Sequence, residues 1–521
     1  MSKQPNFLFI MTDQHRADWL GCAGHPVVRT PHIDALAASG TRFDRFYVAS
    51  PVCMPNRASL MTGRFPTAHG LRYNGCILPE RANTFVEALR RSGYKTASIG
   101  KSHLQPFTTT APVGRAAFAS GPLAEAWQAE AGDYWQEQPA RYQGPGRYAF
   151  KTPYYGFDHV DVVLGHGDQA DGHYLQWLRE QRTDWAALRD RANQLPHHYA
   201  CAQAYRTAIP AALYSTAYIR EQACAWLAAQ RAYGGPFFSF VSFPDPHHPF
   251  TPPGRYWDMY DPDDFALPLP YAAHRNPPMP LAACMKLARA GAQPVTATTA
   301  FALADERQVR EAMALTAGMV TMIDDAVGAI VQALRDSGHY DNTVICFNAD
   351  HGDYLGDFNL MLKGALALES INKVPFIWSD PHQRESRVSN ALGSTIDIAS
   401  TVLARAGVGP YFGMQGHSLL ACLAGAAEVR ESLLIEFNDA VARMGFTKPA
   451  RVRTLVTADA RLSVYLDEDW GEYYDRRTDP HDTHNRWRDP AAAARREELL
   501  VELAQRMIAA MDESPRSQRL A

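Results

Sequence analysis

The chain has 521 residues, of which 46% are apolar and 20% are charged, and its formal net charge at neutral pH is −4. This composition is typical of a globular protein, and it argues against a disordered, collagenous or coiled-coil chain. Because basic residues are not in excess, the chain is not expected to bind nucleic acid, and any site for an anion must be local.

The N-terminus has only a short apolar run before Asp13, too short for the hydrophobic region of a signal peptide. No run of about 18 apolar residues follows, so no membrane span and no membrane partner are predicted. A cytoplasmic location is therefore expected. Eight scattered cysteines without a C-x-x-C pair indicate reduced, mostly buried thiols rather than a disulfide framework.

Apolar runs and helical patterns alternate along most of the chain. The apolar runs predict buried strands over residues 6–11, 94–99, 236–243, 343–347 and 374–378. Helical spacing, with caps and Gly or Pro at the ends, predicts helices over residues 30–38, 84–91 and 306–337. Strands that alternate with helices are typical of an α/β fold with a largely parallel sheet.

Polar clusters stand directly after four of the predicted strands. They contain Asp13, residues 101–103, His247 and residues 350–351. In open α/β sheets, ligands bind at the carboxyl ends of the strands. We therefore expect these polar side chains to converge on one rim of the sheet.

The remaining segments predict two insertions and a small C-terminal subdomain. Residues 105–205 and 251–300 have weak periodicity and are interpreted as insertions near the rim. Short strands over residues 431–466, followed by a helix over residues 491–511, predict a small antiparallel sheet with one helix. The predicted domains are a catalytic domain over residues 1–425 and a C-terminal subdomain over residues 426–521.

The most specific motif is the segment from Cys53 to Arg64, which reads C-M-P-N-R-A-S-L-M-T-G-R. A cysteine stands at the start of a predicted helix, with Pro in its first turn and Gly at its end. A C-x-P-x-R pattern alone also fits an ordinary helix start with a buried thiol. The whole segment, however, resembles the signature of the sulfatase family, in which this cysteine is oxidised to formylglycine after synthesis.

The resemblance extends over residues 6–378 through further segments in the same order. They are T-D-Q-H-R at 12–16, G-K-S-H at 100–103, P-H-H-P-F at 246–250, N-A-D-H-G-D at 348–353, and Lys363. The chain is thus similar to the formylglycine-dependent sulfatases of the alkaline-phosphatase superfamily. This resemblance implies an α/β fold with a large, mostly parallel sheet sandwiched by helices, plus a small C-terminal antiparallel sheet and helix.

The resemblance also implies a divalent metal site. The implied ligands are Asp13, Gln14, Cys53 as formylglycine, Asp350 and His351. Their oxygen donors suit Ca²⁺, while the imidazole and the amide leave Mn²⁺ or Mg²⁺ open. The more usual family pattern has an acidic residue in place of Gln14 and Asn in place of His351. A Gln/His variant occurs in branches that include choline sulfatases and phosphonate monoester hydrolases.

Catalytic roles follow from the same resemblance. Cys53, as a formylglycine hydrate, would be the nucleophile, and Arg57 would hold that hydrate. Lys101 would bind the sulfate and the nucleophile, and His103 would be the base that collapses the covalent intermediate.

Further positions would contact the substrate. His247 and Lys363 would contact the sulfate and the leaving oxygen, and one of them would be the general acid. His248 is expected on the leaving-group side. Asn74 resembles an asparagine that lines the site in the Gln/His branches, and its alternative is an ordinary Asn-Gly turn.

Three functions are compatible with these motifs. A sulfuric ester hydrolase is favoured over a phosphonate monoester or phosphodiester hydrolase, because Lys101 and His103 stand where phosphonate hydrolases carry hydroxyl-bearing residues. The third is a binding protein that retains the fold without catalysis. The expected partners are a small-molecule sulfate ester and a formylglycine-generating or equivalent maturation enzyme. Homo-oligomers are common in the Gln/His branches, which points to an oligomer here.

Overall fold

The computed structural model describes residues 4–110, 125–128, 130–292 and 297–520. Residues 111–124 and 129 of the first predicted insertion and residues 293–296 of the second lie outside the described residues. The strands in the described part of the chain are β1 (Asn6–Thr12), β2 (Thr41–Phe43), β3 (Phe46–Tyr47), β4 (Lys95–Gly100), β5 (His159–Leu164), β6 (Asp171–Gly172), β7 (Phe237–Ser242), β8 (Phe301–Ala302), β9 (Thr343–Ala349), β10 (Leu360–Met361), β11 (Phe376–Ser379), β12 (Arg387–Ser389), β13 (Gly393–Ser394), β14 (Ser432–Asn438), β15 (Arg451–Thr457), β16 (Ala460–Tyr465) and β17 (Gly471–Asp475). The α-helices are α1 (Pro31–Ala38), α2 (Cys53–Thr62), α3 (Pro66–His69), α4 (Phe85–Arg91), α5 (His173–Gln181), α6 (Trp185–Arg189), α7 (Ser215–Ala229), α8 (Met279–Arg289), α9 (Glu306–Asp336), α10 (Glu369–Asn372), α11 (Ile396–Ala406), α12 (Leu420–Leu423) and α13 (Ala493–Ala509).

A nine-stranded sheet has the order β12-β2-β11-β9-β1-β7-β4-β5-β6. The run from β9 to β5 is parallel throughout, whereas β11 and β6 add antiparallel to its two ends. This confirms the predicted, largely parallel sheet. The strands that precede the four polar clusters, β9, β1, β7 and β4, are direct neighbours, so their carboxyl ends form one rim.

Strand β1 shows why both faces of this sheet are covered. Phe7, Phe9 and Met11 point to one side, into an apolar cluster with residues of α2, α4 and α11. Leu8 and Ile10 point to the other side, into a cluster with residues of α1, α7 and α9. A strand in a parallel sheet that is buried on both faces is apolar without alternation, which is the pattern that β1 has.

Helix α9 is one of the elements that cover the second face. It begins after Asp305, whose side chain accepts a hydrogen bond from the backbone N–H of Arg307. Among the described residues, it is the one helix long and apolar enough to cross a membrane, and 83% of its most apolar 18-residue stretch is buried inside the protein. Its apolar character is therefore accounted for by its packing against the sheet.

A second sheet, of four antiparallel strands in the order β14-β15-β16-β17, follows near the C-terminus. Helix α13 packs on it through Leu499 and Leu503. This agrees with the expected small antiparallel sheet plus helix. All eight cysteines are free, as expected of reduced thiols.

Nine of the described strands were not predicted, and the longest of them are β5 and β17. Strand β5 lies inside the range 105–205 and pairs with β4 in the main sheet, but Asp161 interrupts its apolar run. Glu472 does the same in β17. Both carboxylates are buried and have basic partners, Arg147 for Asp161 and Arg461 for Glu472, and a sequence pattern does not reveal such partners.

Candidate active site

Helix α2 carries Cys53 at its first residue. The helix ends at Gly63, which has left-handed backbone geometry (φ 65°) and donates its N–H to the Ser59 carbonyl. At the other end, Oδ1 of Asn74 accepts from the backbone N–H of Met54 at 3.1 Å. Asn74 therefore satisfies one of the free N–H groups at the start of the helix, beside the buried Cys53 side chain.

The Cys53 thiol belongs to a compact group of potential ligand atoms. Its Sγ lies 3.0 Å from Nε2 of His351 and 3.9 Å from Oδ1 of Asp13. The same Nε2 atom is 3.6 Å from a carboxylate oxygen of Asp13 and 3.6 Å from one of Asp350. One ligand atom from each of the four residues lies within 4.8 Å of all the others. The group therefore has the dimensions and the donor types of a site for one cation.

The orientation of His351 suits a ligand. Its Nδ1 donates to the carbonyl of Gly352 at 2.8 Å, so the lone pair of Nε2 points towards the group around Cys53. Gly352 makes this turn possible, because an added Cβ would lie 1.8 Å from the carbonyl oxygen of Ser370.

Two buried cations balance the two carboxylates. Arg57 Nε donates to Asp350 at 2.8 Å, and its Nη2 lies 3.4 Å from Asp13. Lys101 Nζ donates to Oδ2 of Asp13, the same oxygen that Nη2 of Arg57 approaches. Burial opposes ionisation, but the charge of Lys101, with a smaller contribution from Arg57, holds the pKa of Asp13 well below its usual value. Asp13 is therefore ionised, as a metal ligand must be.

Lys101 and His103 follow the end of β4. The strand ends at Gly100 (φ 106°), where an added Cβ would lie 1.9 Å from the carbonyl oxygen of Ser242. That carbonyl accepts from the N–H of Lys101 at 2.8 Å. His103 has a left-handed backbone (φ 59°), and its ring stacks on Phe107 with centroids 4.0 Å apart.

Lys363 and Gln14 form the opposite side of the site. Lys363 Nζ donates to Oε1 of Gln14 at 2.7 Å and to Nε2 of His247 at 2.9 Å. The amide nitrogen of Gln14 donates to Asp353 at 2.5 Å and lies 3.3 Å from Nδ1 of His248. Gln14 therefore orients the ammonium group of Lys363 towards His247.

Three imidazoles connect this side to Lys101. The ring of His247 lies between those of His166 and His248, with centroid distances of 3.6 and 4.0 Å. His166 Nε2 accepts from Lys101 Nζ at 2.7 Å. Asp13, His166 and His247 also satisfy the distances of a second cation site, but the Lys101 ammonium group already donates to both Asp13 and His166.

Burial and positive neighbours keep these imidazoles neutral near neutral pH. Burial is the largest cause that lowers the pKa of His247 and His248 well below the usual value, and Lys363 adds to it. Burial and then Lys101 lower the pKa of His166 to about 3. Neutral rings of this kind accept hydrogen bonds from the lysines.

Around Cys53 and His351, by contrast, the surroundings favour the charged form of each group. Burial and Asp13 would raise the pKa of the Cys53 thiol, but Lys363, His351 and Lys101 together lower it. Burial would lower the pKa of His351, and Asp350 raises it above its usual value. The electrostatics around Cys53 thus favour a developing negative charge at this position.

The sequence-predicted residues fall into two sets. The larger set is connected by the contacts above and comprises Asp13, Gln14, Cys53, Arg57, Lys101, His247, His248, Asp350, His351 and Lys363. His103 and Asn74 lie at its edge. Asn74 is exposed, and the buried Nδ1 of His103 has no hydrogen-bond partner among the described residues.

Sequence reasoning missed His166 and Asp353. His166 follows the unpredicted strand β5 by two residues, so the rule that placed the other polar residues after strand ends would have found it once that strand was recognised. Asp353 lies in the same N-A-D-H-G-D segment as Asp350 and acts through Gln14, a contact that the sequence does not reveal.

Known proteins are similar to this chain over most of its length. A family model described as Sulfatase matches residues 5–408, and one described as N-sulphoglucosamine sulphohydrolase, C-terminal, matches residues 356–509. The uncharacterized sulfatase YidJ of Escherichia coli (strain K12) is 28% identical over 490 residues, which cover 93% of this chain and 83% of the relative.

Two further proteins are similar over most of their length. The multifunctional alkaline phosphatase superfamily protein PehA of Trinickia caryophylli is 27% identical over 512 residues, 94% of this chain and 92% of that protein. The crystal structure of the phosphonate monoester hydrolase of Agrobacterium radiobacter has a TM-score of 0.77 at 23% identity, and the match covers 99% of this chain and 98% of that one. At this identity, the structural match shows a shared fold.

Proposed function

The chain belongs to the sulfatase family and is a sulfuric ester hydrolase, and we propose that it cleaves a small-molecule sulfate monoester with formylglycine at position 53 and a divalent metal. The observation that carries the proposal is the environment of Lys363. Its ammonium group is buried and bonded to the neutral groups of Gln14 and His247, and no carboxylate among the described residues forms a salt bridge with it. A buried charge without a counter-ion is costly, and an anionic sulfate group would supply that counter-ion.

The residues around Cys53 fit the implied metal. Asp13 and Asp350 would supply carboxylate oxygens, His351 the lone pair of Nε2, and residue 53 an oxygen after its oxidation. Gln14 stays a candidate ligand, although its Oε1 faces Lys363 here. Hard oxygen donors favour Ca²⁺, with Mn²⁺ or Mg²⁺ as alternatives. When bound, such a cation would stabilise negative charge on the nucleophile.

The oxidised residue 53 supports a two-step hydrolysis. Hydration of its aldehyde gives two hydroxyl groups on one carbon. One oxygen attacks sulfur while the ester bond to the alcohol breaks, and the alcohol leaves with a proton. The second hydroxyl then loses its proton, the bond between carbon and the sulfated oxygen breaks, and sulfate leaves as the aldehyde re-forms. The oxidation of Cys53 requires the maturation enzyme expected above.

The neighbouring residues would assist each step. Arg57 and Lys101 would hold the oxygens of residue 53 and of the sulfate. His247 and Lys363 share a hydrogen bond, so this pair is placed to supply the proton for the leaving alcohol. His103 would accept the proton of the second hydroxyl, and His248 and Asn74 would line the leaving-group side.

A phosphonate monoester or phosphodiester hydrolase is the alternative function. The fold shared with a phosphonate monoester hydrolase and the similarity to PehA are compatible with it. Lys101 and His103 favour the sulfatase, because two added cationic or proton-accepting groups suit a terminal sulfate. A phosphodiester has one fewer free oxygen and carries an extra substituent.

Measured catalytic efficiencies on an aryl sulfate and on an aryl phosphonate would test this choice. The wild-type enzyme should prefer the sulfate. A variant with Lys101→Ser and His103→Thr should lose more activity on the sulfate than on the phosphonate. A clear preference of the wild-type enzyme for the phosphonate would reverse the ranking.

A further inference from the structure

Glu137 is a fully buried carboxylate in the segment between β4 and β5. Its Oε2 accepts from the backbone N–H of His103 at 2.8 Å. Its Oε1 accepts from the N–H groups of Leu104 at 3.1 Å and Gln105 at 3.2 Å, and from the Tyr154 hydroxyl. Burial raises the pKa of Glu137, and these four hydrogen bonds act against that shift because an ionised carboxylate only accepts.

The three N–H groups belong to consecutive residues that begin at His103. Residues other than glycine adopt the left-handed backbone of His103 infrequently. Such a conformation turns successive N–H groups to one side and creates a concave site for an anion. The Glu137 carboxylate occupies that site, and it therefore stabilises the backbone conformation on which the direction of the His103 side chain depends.

The segment that carries Glu137 is also tied to the loop after β4. The N–H of Gln136 donates to the side-chain oxygen of Gln105 at 3.0 Å, and the amide nitrogen of Gln105 donates to the carbonyl of Asp133 at 2.9 Å. The two segments thus hold each other at a fixed separation. Nδ1 of the His103 ring has no hydrogen-bond partner in the described part of the chain, so the backbone of residue 103 and the stacked ring of Phe107 orient it.

We propose that Glu137 is a positioning residue that holds the imidazole of His103 in place through the backbone of residues 103–105. The inference rests on the proposed function, in which His103 accepts the proton of the second hydroxyl of residue 53. Glu137 itself touches neither Cys53 nor the lysines.

The variant Glu137→Gln tests this relation with little change in volume. Its amide oxygen can replace Oε1 and keep three donors, which turns the amide nitrogen towards the N–H of His103. Two donors then face each other, so the hydrogen bond to His103 is the one that is lost. We expect kcat to fall about tenfold to a hundredfold while KM changes less than about threefold, because a small misplacement of a catalytic group costs rate.

A double-mutant cycle with His103→Ala separates positioning from general loss of structure. If Glu137 acts through the His103 ring, Glu137→Gln should lower kcat in the wild-type background and have no further effect in the His103→Ala background. An undiminished loss in the His103→Ala background would overturn the inference, as would an unchanged kcat for Glu137→Gln alone. Glu137→Asp, which keeps both oxygens but is shorter, replaces Glu137→Gln in the same cycle if that variant does not fold.

Asp324→Asn is the matched control. Asp324 is also fully buried and accepts from two backbone N–H groups, those of His32 and Ile33, but it lies on α9 and contacts α1 rather than the site. It should lose thermal stability without loss of kcat. A His103→Ala enzyme with wild-type turnover would contradict the role proposed for His103 and the inference together. If Glu137→Gln and His103→Ala lower kcat independently of each other, the inference about Glu137 is wrong, while the role proposed for His103 stands.

Discussion

The imidazole rings of His166 and His247 stack with their centroids 3.6 Å apart and their planes 9° apart. His166 accepts a hydrogen bond from Lys101, and His247 accepts one from Lys363. Because each ring restricts the rotation of the other, the stack fixes the plane of His247. In the proposed function, His166 thereby orients the pair that protonates the leaving oxygen.

His166→Ala should therefore affect poor leaving groups most. We expect kcat/KM to fall about tenfold to a hundredfold for an alkyl sulfate and much less for nitrophenyl sulfate, because an alkoxide needs a proton in order to leave. His166→Phe retains a stacked ring and should recover part of the loss. Rates for the three enzymes on both esters measure this. Equal losses on the two esters would show that His166 does not assist proton transfer to the leaving group.

Cys53→Ala should remove aryl sulfatase activity by more than about a thousandfold, because it removes the proposed nucleophile. The fold should survive, with a loss of about 1 kcal/mol in the free energy of unfolding. Cys53→Ser is the informative partner, since a serine can attack sulfur but has no second hydroxyl to expel sulfate, and it should remain sulfated after one turnover.

Initial rates, thermal unfolding and intact-protein mass spectrometry would follow both Cys53 variants. Peptide mass spectrometry over residues 48–64 would distinguish an aldehyde from a thiol in the wild-type enzyme. Near wild-type turnover by Cys53→Ala would show that the nucleophile lies elsewhere. An unmodified thiol in fully active enzyme would show that formylglycine is not required.

Chelation should lower both activity and the unfolding temperature, and Ca²⁺ should restore them. A ligand at one hundred times its Kd stabilises the folded state by about 2.7 kcal/mol. In Asp350→Ala, the unfolding temperature should be the same for the Ca²⁺-loaded and the chelated protein. The difference between these two temperatures is the useful quantity, because the substitution also leaves the buried Arg57 without its nearer carboxylate.

Asp245→Asn is the control for the metal experiment. Asp245 is a buried carboxylate that accepts from Thr216 and Tyr214, and its side chain lies outside the four-residue ligand group. It should keep the Ca²⁺-dependent shift in unfolding temperature. A full shift in Asp350→Ala would mean that the ion binds at another place.

The sequence predicted the rim well because its strands are continuous apolar runs and each ends in polar residues. It did not predict β5, since Asp161 interrupts the apolar run and its partner Arg147 comes from a separate segment before the strand. The predicted site lacked His166 for the same reason, because His166 follows β5. Contacts such as those of Gln14 with Asp353, or of Glu137 with residues 103–105, depend on tertiary structure and have no local pattern.

Asp324 gives a prediction about stability that is independent of catalysis. Burial raises its pKa to about 6, although the N–H groups of His32 and Ile33 and the charge of His32 act against this, while Asp34 adds to it. The folded state therefore binds this proton more tightly than the unfolded chain, whose pKa is near 3.8. The contribution of Asp324 to stability should accordingly decrease by on the order of 2 kcal/mol as pH rises from about 4 to about 6.

Asp324→Asn removes that proton and should flatten the pH dependence in this interval. It should also lower stability by about 1 kcal/mol near pH 5, because one backbone N–H at the start of α1 loses its acceptor. Urea unfolding between about pH 4 and pH 7 measures both effects. Asp325→Asn is the matched control, since Asp325 contacts Arg255 and Tyr256 at the surface, and it should keep the wild-type slope. If Asp324→Asn also kept that slope, the proton linkage would have to arise from another buried carboxylate.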